Sequence, residues 1–319
     1  MYDVIGIGRA VKDFIVAVEK IPEGDNGTGA LFVSAQFGGK VSTAVAAAAR
    51  QGLSASMYGT IGKDAKGEMV KEDFEWHGVD TSHLYLIEGK DTPLCIALAE
   101  ASTQTRKFIG TPADVPVLIP DKLDLDYLKQ ARCIHLEGGY PVAKEAAAFA
   151  KAKGILSSVD ADQYHEELEE IEDLFDLFIT SEYYAERRIP GADPIEVDRT
   201  IAKEKGCKVV ITTLGSRGLV GIADGEEFSL PAFKGLKIID TTGAGDVFHG
   251  AFISAYLLGY SAKEAARYAS AASYIKCTRV GGRAGIPTRA QVERFLKDGV
   301  LIDEEELDAR VKHYEKLVM

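Results

Sequence analysis

The sequence predicts an α/β fold: a mostly parallel central sheet with helices on both faces, plus a small antiparallel β lid. Three observations lead there. Short apolar or β-branched runs alternate with longer helical runs through most of the chain. Several helical runs stop at a glycine, the residue that closes a helix in a left-handed turn. Two stretches, residues 15–37 and 92–109, break the alternation with strand-like patches and no helix.

Taken in order, Val4–Ile7 opens the chain as a strand, and Ser42–Gln51 is an Ala-rich helix ended by Gly52. Ser56–Ile61 is a strand and Gly67–His77 a helix ended by Gly78. Cys133–Leu136 is a strand, followed by a helix over Val142–Lys153 that Gly154 ends. Leu156–Asp160, Leu177–Thr180 and Lys208–Thr213 are further strands, with a helix over Pro194–Lys205. Leu236–Ile239 reads as the end of a strand, and Val247–Leu258 as a largely buried helix stopped by Gly259. The patches Ile15–Val18, Ala30–Val33, Leu94–Leu98 and Arg106–Ile109 would pair as the lid. No low-complexity linker separates them, so residues 1–298 form one domain from which the lid projects. Residues 299–319 are a charged helical extension. Its stripe of Leu307, Val311, Tyr314 and Val318 reads as the face docked on that domain.

Composition narrows the function. With 46% apolar and 27% charged residues, the 319-residue chain has the make-up of a soluble globular enzyme. A formal net charge of −12 argues against a nucleic-acid partner, whose phosphates need a basic face. No apolar run approaches the ~20 residues that span a bilayer. The amino terminus passes directly into a strand, so a cytoplasmic location is expected. Cys95, Cys133, Cys207 and Cys277 form no CxxC pair, and the six histidines show no metal-ligand spacing.

The most informative stretch is Asp240-Thr241-Thr242-Gly243-Ala244-Gly245-Asp246. It opens a helix, where unsatisfied backbone N–H groups and the positive dipole end converge. Gly243 and Gly245 let an anion approach the backbone closely. An acid in a phosphate site repels the ligand and needs a purpose. Asp246 reads as the base that takes a proton from an attacking hydroxyl, while the N–H groups of Ala244, Gly245 and Asp246 stabilise the transferring phosphoryl. A second glycine-rich helix start, Gly38-Gly39-Lys40-Val41-Ser42-Thr43, leaves room for another ligand against backbone.

These two stretches together resemble the ribokinase-like sugar kinases, the PfkB carbohydrate kinase family, over residues 1 to about 298. Lys276–Pro287, with Gly243–Phe252, looks most like the sulfofructose kinase branch. The resemblance implies that Asp246 is the catalytic base and that Gly243, Ala244 and Gly245 are the anion hole. It implies that Asp13, Gly38 and Gly39 hold the sugar, with Thr43 where most members carry asparagine. Thr213, Gly215 and Gly218, together with Thr242, would lie beside ATP. Mg²⁺ is expected with ATP, and Glu182 is the carboxylate nearest the family's usual metal motif, acting through water. Asp240 and Thr242 would hold a monovalent cation, K⁺, through carbonyls.

The function expected is therefore ATP-dependent phosphorylation of a hydroxyl, of primary type, on a sugar or sugar derivative. A nucleoside kinase of the same fold and a catalytically idle sugar-binding regulator are the alternatives. Arg9, Lys12 and Lys40 lie in or next to the sugar motifs of an acidic chain, which suggests an anionic group on the acceptor. Leu31, Phe32 and Val33 give the lid an apolar surface, which suggests a homodimer formed lid to lid.

Overall fold

The computed structural model describes residues 1–103, 105–112, 114–118, 123–138 and 140–318; Gln104 of the second lid stretch and Met319 of the extension lie outside them. The first third of the chain gives β1 (Tyr2–Ile7), β2 (Val11–Val18), β3 (Ala30–Gly38), α1 (Lys40–Arg50), β4 (Ala55–Gly62), α2 (Ala65–Trp76), β5 (Leu84–Ile87), β6 (Leu94–Glu100) and β7 (Thr105–Gly110). The middle gives α3 (Leu125–Leu128), β8 (Ala131–Glu137), α4 (Pro141–Lys153), β9 (Leu156–Ala161), α5 (Glu166–Glu170), β10 (Leu177–Ser181), α6 (Glu182–Arg188) and α7 (Pro194–Lys205). The rest gives β11 (Val209–Thr213), β12 (Leu219–Ala223), β13 (Glu226–Leu230), α8 (Ala244–Leu257), α9 (Ala262–Lys276), α10 (Arg289–Asp298) and α11 (Glu304–Lys316).

Nine strands form the main sheet in the order β13-β12-β11-β10-β9-β8-β1-β4-β5. It is parallel from β5 to β11 and closes at one edge with the antiparallel hairpin β12–β13. Alternate side chains of one strand feed opposite faces, as the two-residue period of a strand requires. Phe178 of β10 and Val210 of β11 join the core under α4, α6 and α7. Their neighbours Leu177, Ile179, Val209 and Ile211 join the core under α8 and α9. A third cluster sits under α1 and α2, and Tyr314 of α11 completes it.

The lid is a separate four-stranded sheet in the order β3-β2-β6-β7. Its two antiparallel pairs, β2–β3 and β6–β7, are joined by a parallel pairing of β2 with β6. The extension docks on its own domain: Leu307, Arg310 and Tyr314 of α11 are buried. Val318, the last residue of the expected stripe, is exposed.

One expected element is missing. Residues 236–239 are not a strand. Ile239 and Asp240 donate their N–H groups to Cys277 O, at the end of α9, instead of to a neighbouring strand. Ile238 and Ile239 are 43% and 53% exposed, outside the core, and Ile238 lines a cleft.

Candidate active site

The chain winds in one direction from β1 to β4 and β5, and in the other from β8 to β11. The carboxyl ends of β1 and β8 thus meet at the switch point of the sheet, where such folds leave a crevice. Arg9 follows β1 and Glu137 ends β8, and the Arg9 N–H donates to Glu137 Oε1 at 3.0 Å. Burial pushes the Glu137 carboxyl up to about 7, against the opposing pull of the Arg9 N–H and Lys40.

Asp13 leaves the crevice on β2, opposite Gln36 of β3 and Cys95 of β6. Both glycines of the 38–39 pair are needed here. A Cβ on Gly38 would lie 2.2 Å from Asp13 Oδ2, and one on Gly39, at φ 96°, would lie 2.0 Å from Arg9 O. Burial lifts the Asp13 carboxyl to about 7, with the Arg283 charge pulling it down. Among the described residues, Thr43 Oγ1 and Arg9 Nε are buried with no hydrogen-bond partner.

The anion turn faces this pair across a close helix contact. A Cβ on Gly250 of α8 would lie 2.1 Å from Ala44 O of α1, so only glycine lets the two helices approach. Gly243, at φ 73°, begins α8, and Gly245 has open space where a Cβ would stand. The Ala244 N–H already donates to Thr241 O at 3.2 Å, and Val247 N–H to Gly243 O at 2.9 Å. Like the first N–H groups of any helix, those of Gly245 and Asp246 have no carbonyl partner inside α8.

Asp246 joins a cluster of charges drawn from three elements. Burial, and then repulsion from Asp160 and Asp162, hold its carboxyl well above the usual range, while Lys40 and Lys276 oppose them. Lys40 forms an ion pair with Asp162. Burial alone would lower the Lys40 ammonium, but Asp160, Asp162 and Glu137 together raise it. His249 Nε2 lies 3.4 Å from Asp160 Oδ2. Burial holds that imidazole neutral, down to about 3, so the contact is not an ion pair.

Two adjoining cavities flank the turn, of about 700 and 550 Å³, and both are lined by Thr213, Thr241, Ala244 and Gly245. The first holds Asp160, Asp162 and Asp246. The second is walled by Leu219, Phe233, Phe248 and Tyr274, with Gly215 and Gly218 at its edge. A flat apolar ring fits the second, and a polyphosphate reaching the shared turn fits the boundary between the two. Gly218 is also fixed by the fold, because a Cβ there would meet Leu230 O at 2.0 Å.

Several of the expected residues have partners within the chain. Glu182 begins α6 beside the first cavity but forms an ion pair with Arg217. Asp160 and Asp162, with Asp246, are the carboxylates that line the cavity. Among the described residues no three His, Cys, Asp or Glu side chains converge as a metal cage. The K⁺ expected at Asp240 and Thr242 does not fit: their carbonyls accept from the Lys276 ammonium. Of the three cations expected around the acceptor, Lys40 is held by Asp162, and Lys12 points its Nζ at Met69 Sδ, 3.2 Å away.

Glu137, Asp160, Asp162, Lys276 and Arg283 were not visible as site residues in the sequence. Glu137 and Asp160 each occupy the carboxyl end of an interior strand. A lone acid ending an apolar strand is the signal that points to them, once the strand order is known.

The crevice, the glycine turn with its acid and the paired cavities suit a phosphotransferase that works on a small hydroxyl compound. The chain belongs to the pfkB family of carbohydrate kinases, whose profile matches residues 1–289. A ribokinase of Haemophilus influenzae is 27% identical over 300 residues, covering 91% of this chain and 97% of that protein. A nucleoside kinase of Methanothermobacter thermautotrophicus is 26% identical, covering 92% and 95%. The Arabidopsis thaliana ribokinase, solved with ribose and ATP, superimposes with a TM-score of 0.79 at 24% identity, covering 93% and 99%. The protein is a carbohydrate kinase of ribokinase-like fold, from a family whose members phosphorylate sugars or nucleosides.

Proposed function

We propose that the protein transfers the γ-phosphoryl of ATP to a primary hydroxyl of a neutral sugar or sugar derivative. The observation that carries this reading is the Asp246 carboxyl, in the first turn of α8 after Gly243–Gly245, lining the cavity beside Asp160 and Asp162. A base with a raised pKa takes a proton effectively near neutral pH. The acceptor O–H gives its proton to Asp246 as its oxygen bonds to the γ-phosphorus. The bond from that phosphorus to the bridging oxygen breaks, and ADP leaves. The N–H groups of Gly245 and Asp246 stabilise charge on the phosphoryl in flight. Mg²⁺ would supply charge neutralisation on the phosphates, with Asp160 and Asp162 placed to hold it through water.

Asp13 and Glu137 present two carboxylates to neighbouring hydroxyls, which supports a polyol acceptor. The acidic surroundings and the ion-paired Lys40 support a neutral one over the anionic acceptor that the sequence suggested. The nucleoside kinase relative supports a second reading, in which the sugar carries a base. A lid-to-lid homodimer would cover Leu31, 61% exposed, and Phe108, 60% exposed. Use of ATP supports a cytoplasmic place for the enzyme, and among the described residues no helix is long and apolar enough to cross a membrane.

The deciding experiment is a thermal-shift panel of fructose, ribose, sugar acids, sugar phosphates, sulfofructose and nucleosides, followed by ADP release and product mass. A neutral sugar should give both the shift and the turnover. ADP release with none of them would overturn the reading.

A further inference from the structure

The Asp240–Thr242 turn is tied to the end of α9 by a charge that belongs to the chain. Lys276 is the last residue of α9 and is fully buried. Its Nζ donates to Asp240 O at 3.0 Å and to Thr242 O. A buried ammonium persists only where acceptors surround it, and the carbonyl-rich end of a helix adds to their field. The turn is braced on its other side as well. The Asp240 carboxylate accepts from Thr242 N at 2.9 Å, Thr242 Oγ1 at 2.7 Å and Gly281 N at 2.8 Å. Burial pushes that carboxyl up, but Lys276 and these donors hold it below its ordinary value. Ser273, one helical turn before Lys276, donates to Ala244 O at 2.7 Å. The same helix end therefore grips both sides of Gly243, and the Lys276 charge also reaches Asp246.

We propose that the Lys276 ammonium performs, as a built-in cation, the work of a bound monovalent cation at this turn, so that the enzyme needs no K⁺. The ammonium holds the two carbonyls in the geometry that aims the following N–H groups at the phosphoryl, and its positive charge lies behind the anion hole. A diffusible cation at the same carbonyls would have to share them with a tethered charge of the same sign, which repels it at contact distance. The proposal rests on the kinase reading, and one of its readouts does not.

The test has two arms at constant ionic strength, in KCl, NH₄Cl or choline chloride. In the first, the melting temperature of the protein is recorded with and without Mg-ADP, which needs no acceptor. The shift caused by Mg-ADP should be the same in all three salts. In the second, turnover with the identified acceptor should change by less than about twofold between salts, against the ~10²–10³ that a lost oxyanion donor costs. Lys276→Ala should lower turnover in choline by about tenfold or more and recover part of it in NH₄Cl or KCl, since the cavity left behind has the size and acceptors for either ion. A parent whose turnover or Mg-ADP shift rises several-fold in KCl over choline would overturn the proposal, whether or not the variant folds. Silence with every acceptor would overturn the kinase reading alone, because the Mg-ADP shift would still report on the turn.

Discussion

The Tyr314 hydroxyl, on the carboxy-terminal helix, donates to Asp73 Oδ1 at 2.8 Å across 241 positions of sequence. Asp73 forms a buried ion pair with Arg283, whose guanidinium also reaches Ser42 Oγ and the carbonyl of Gly38. The extension is thus joined, through two side chains, to the glycine pair that borders Asp13. Tyr314→Phe removes a buried hydrogen bond to a charged acceptor and should cost ~1.5–3 kcal/mol of stability. The KM for the acceptor should rise while that for ATP stays level, because Arg283 reaches Gly38 and Ser42 of the acceptor loop. Unchanged denaturation midpoints together with unchanged KM values would show that the extension is mere packing.

Asp13 predicts a pH dependence of stability. Its carboxyl titrates at about 7 in the folded chain, against an ordinary value of 3.8. Between those two values the folded state binds more protons than the unfolded one, so stability falls as pH rises through that window. Glu137, also raised to about 7, adds in the same direction. Asp13→Asn should therefore melt higher than the parent at pH 8 and level with it near pH 4, while losing affinity for the acceptor. Melting curves across that range settle it: a parent that gains stability from pH 4 to pH 7 relative to the variant reverses the sign.

Asp246→Asn should keep the fold and the Mg-ADP shift but lower kcat by ~10²–10⁴, the usual worth of a positioned base. Its pH–rate profile should lose the ionisation on the acid side. Turnover within threefold of the parent, a bound set well below that range, would remove Asp246 from its role.

The features that could be read from sequence are those written in consecutive residues. The 240–246 turn, the glycine pair and the alternation of strands and helices carry their meaning locally, because each glycine or acid acts through its own backbone neighbours. Glu137, Asp160 and Arg283 carry no such mark. They reach the site only because β8, β9 and the loop after α9 end at the same edge of the sheet. Gly250 is similar: it sits unremarkably in an apolar helix, and its need appears only beside Ala44 O. Residues 236–239 misled for the opposite reason. Their β-branched pattern is genuine, but Ile238 and Ile239 are exposed and Ile238 lines a cleft, where an apolar surface is needed without a sheet.

The lid predicts an oligomer. Leu31 on β3, with Phe108 and Ile109 on β7, is more than half exposed, and β3 and β7 are the two open edges of the lid sheet. Light scattering at micromolar concentration should give twice the chain mass of 34.4 kDa. Leu31→Lys together with Phe108→Lys should return the monomer by placing charge on the apolar face. A monomer mass for the parent across that concentration range would exclude lid pairing.

Lys40 tests how charge is distributed at the site. Its ammonium pairs with Asp162 and is held by Asp160 and Glu137, so it neutralises the acids that surround the base and not a group on the acceptor. Lys40→Gln should push the Asp246 carboxyl higher still, since Lys40 is one of the two charges that lower it. The acid limb of the kcat profile should therefore move to higher pH, with kcat at neutral pH falling as the unprotonated fraction of Asp246 shrinks. The KM of a neutral acceptor should change little, and its dependence on salt should match the parent's. An anionic acceptor bound by Lys40 would behave otherwise: KM would rise by a factor matching the ~1.5–3 kcal/mol of a charged hydrogen bond, and the pH profile would stay in place. Measuring kcat and KM from pH 5 to pH 9 for the parent and the variant separates the two, and the second pattern would restore the anionic acceptor.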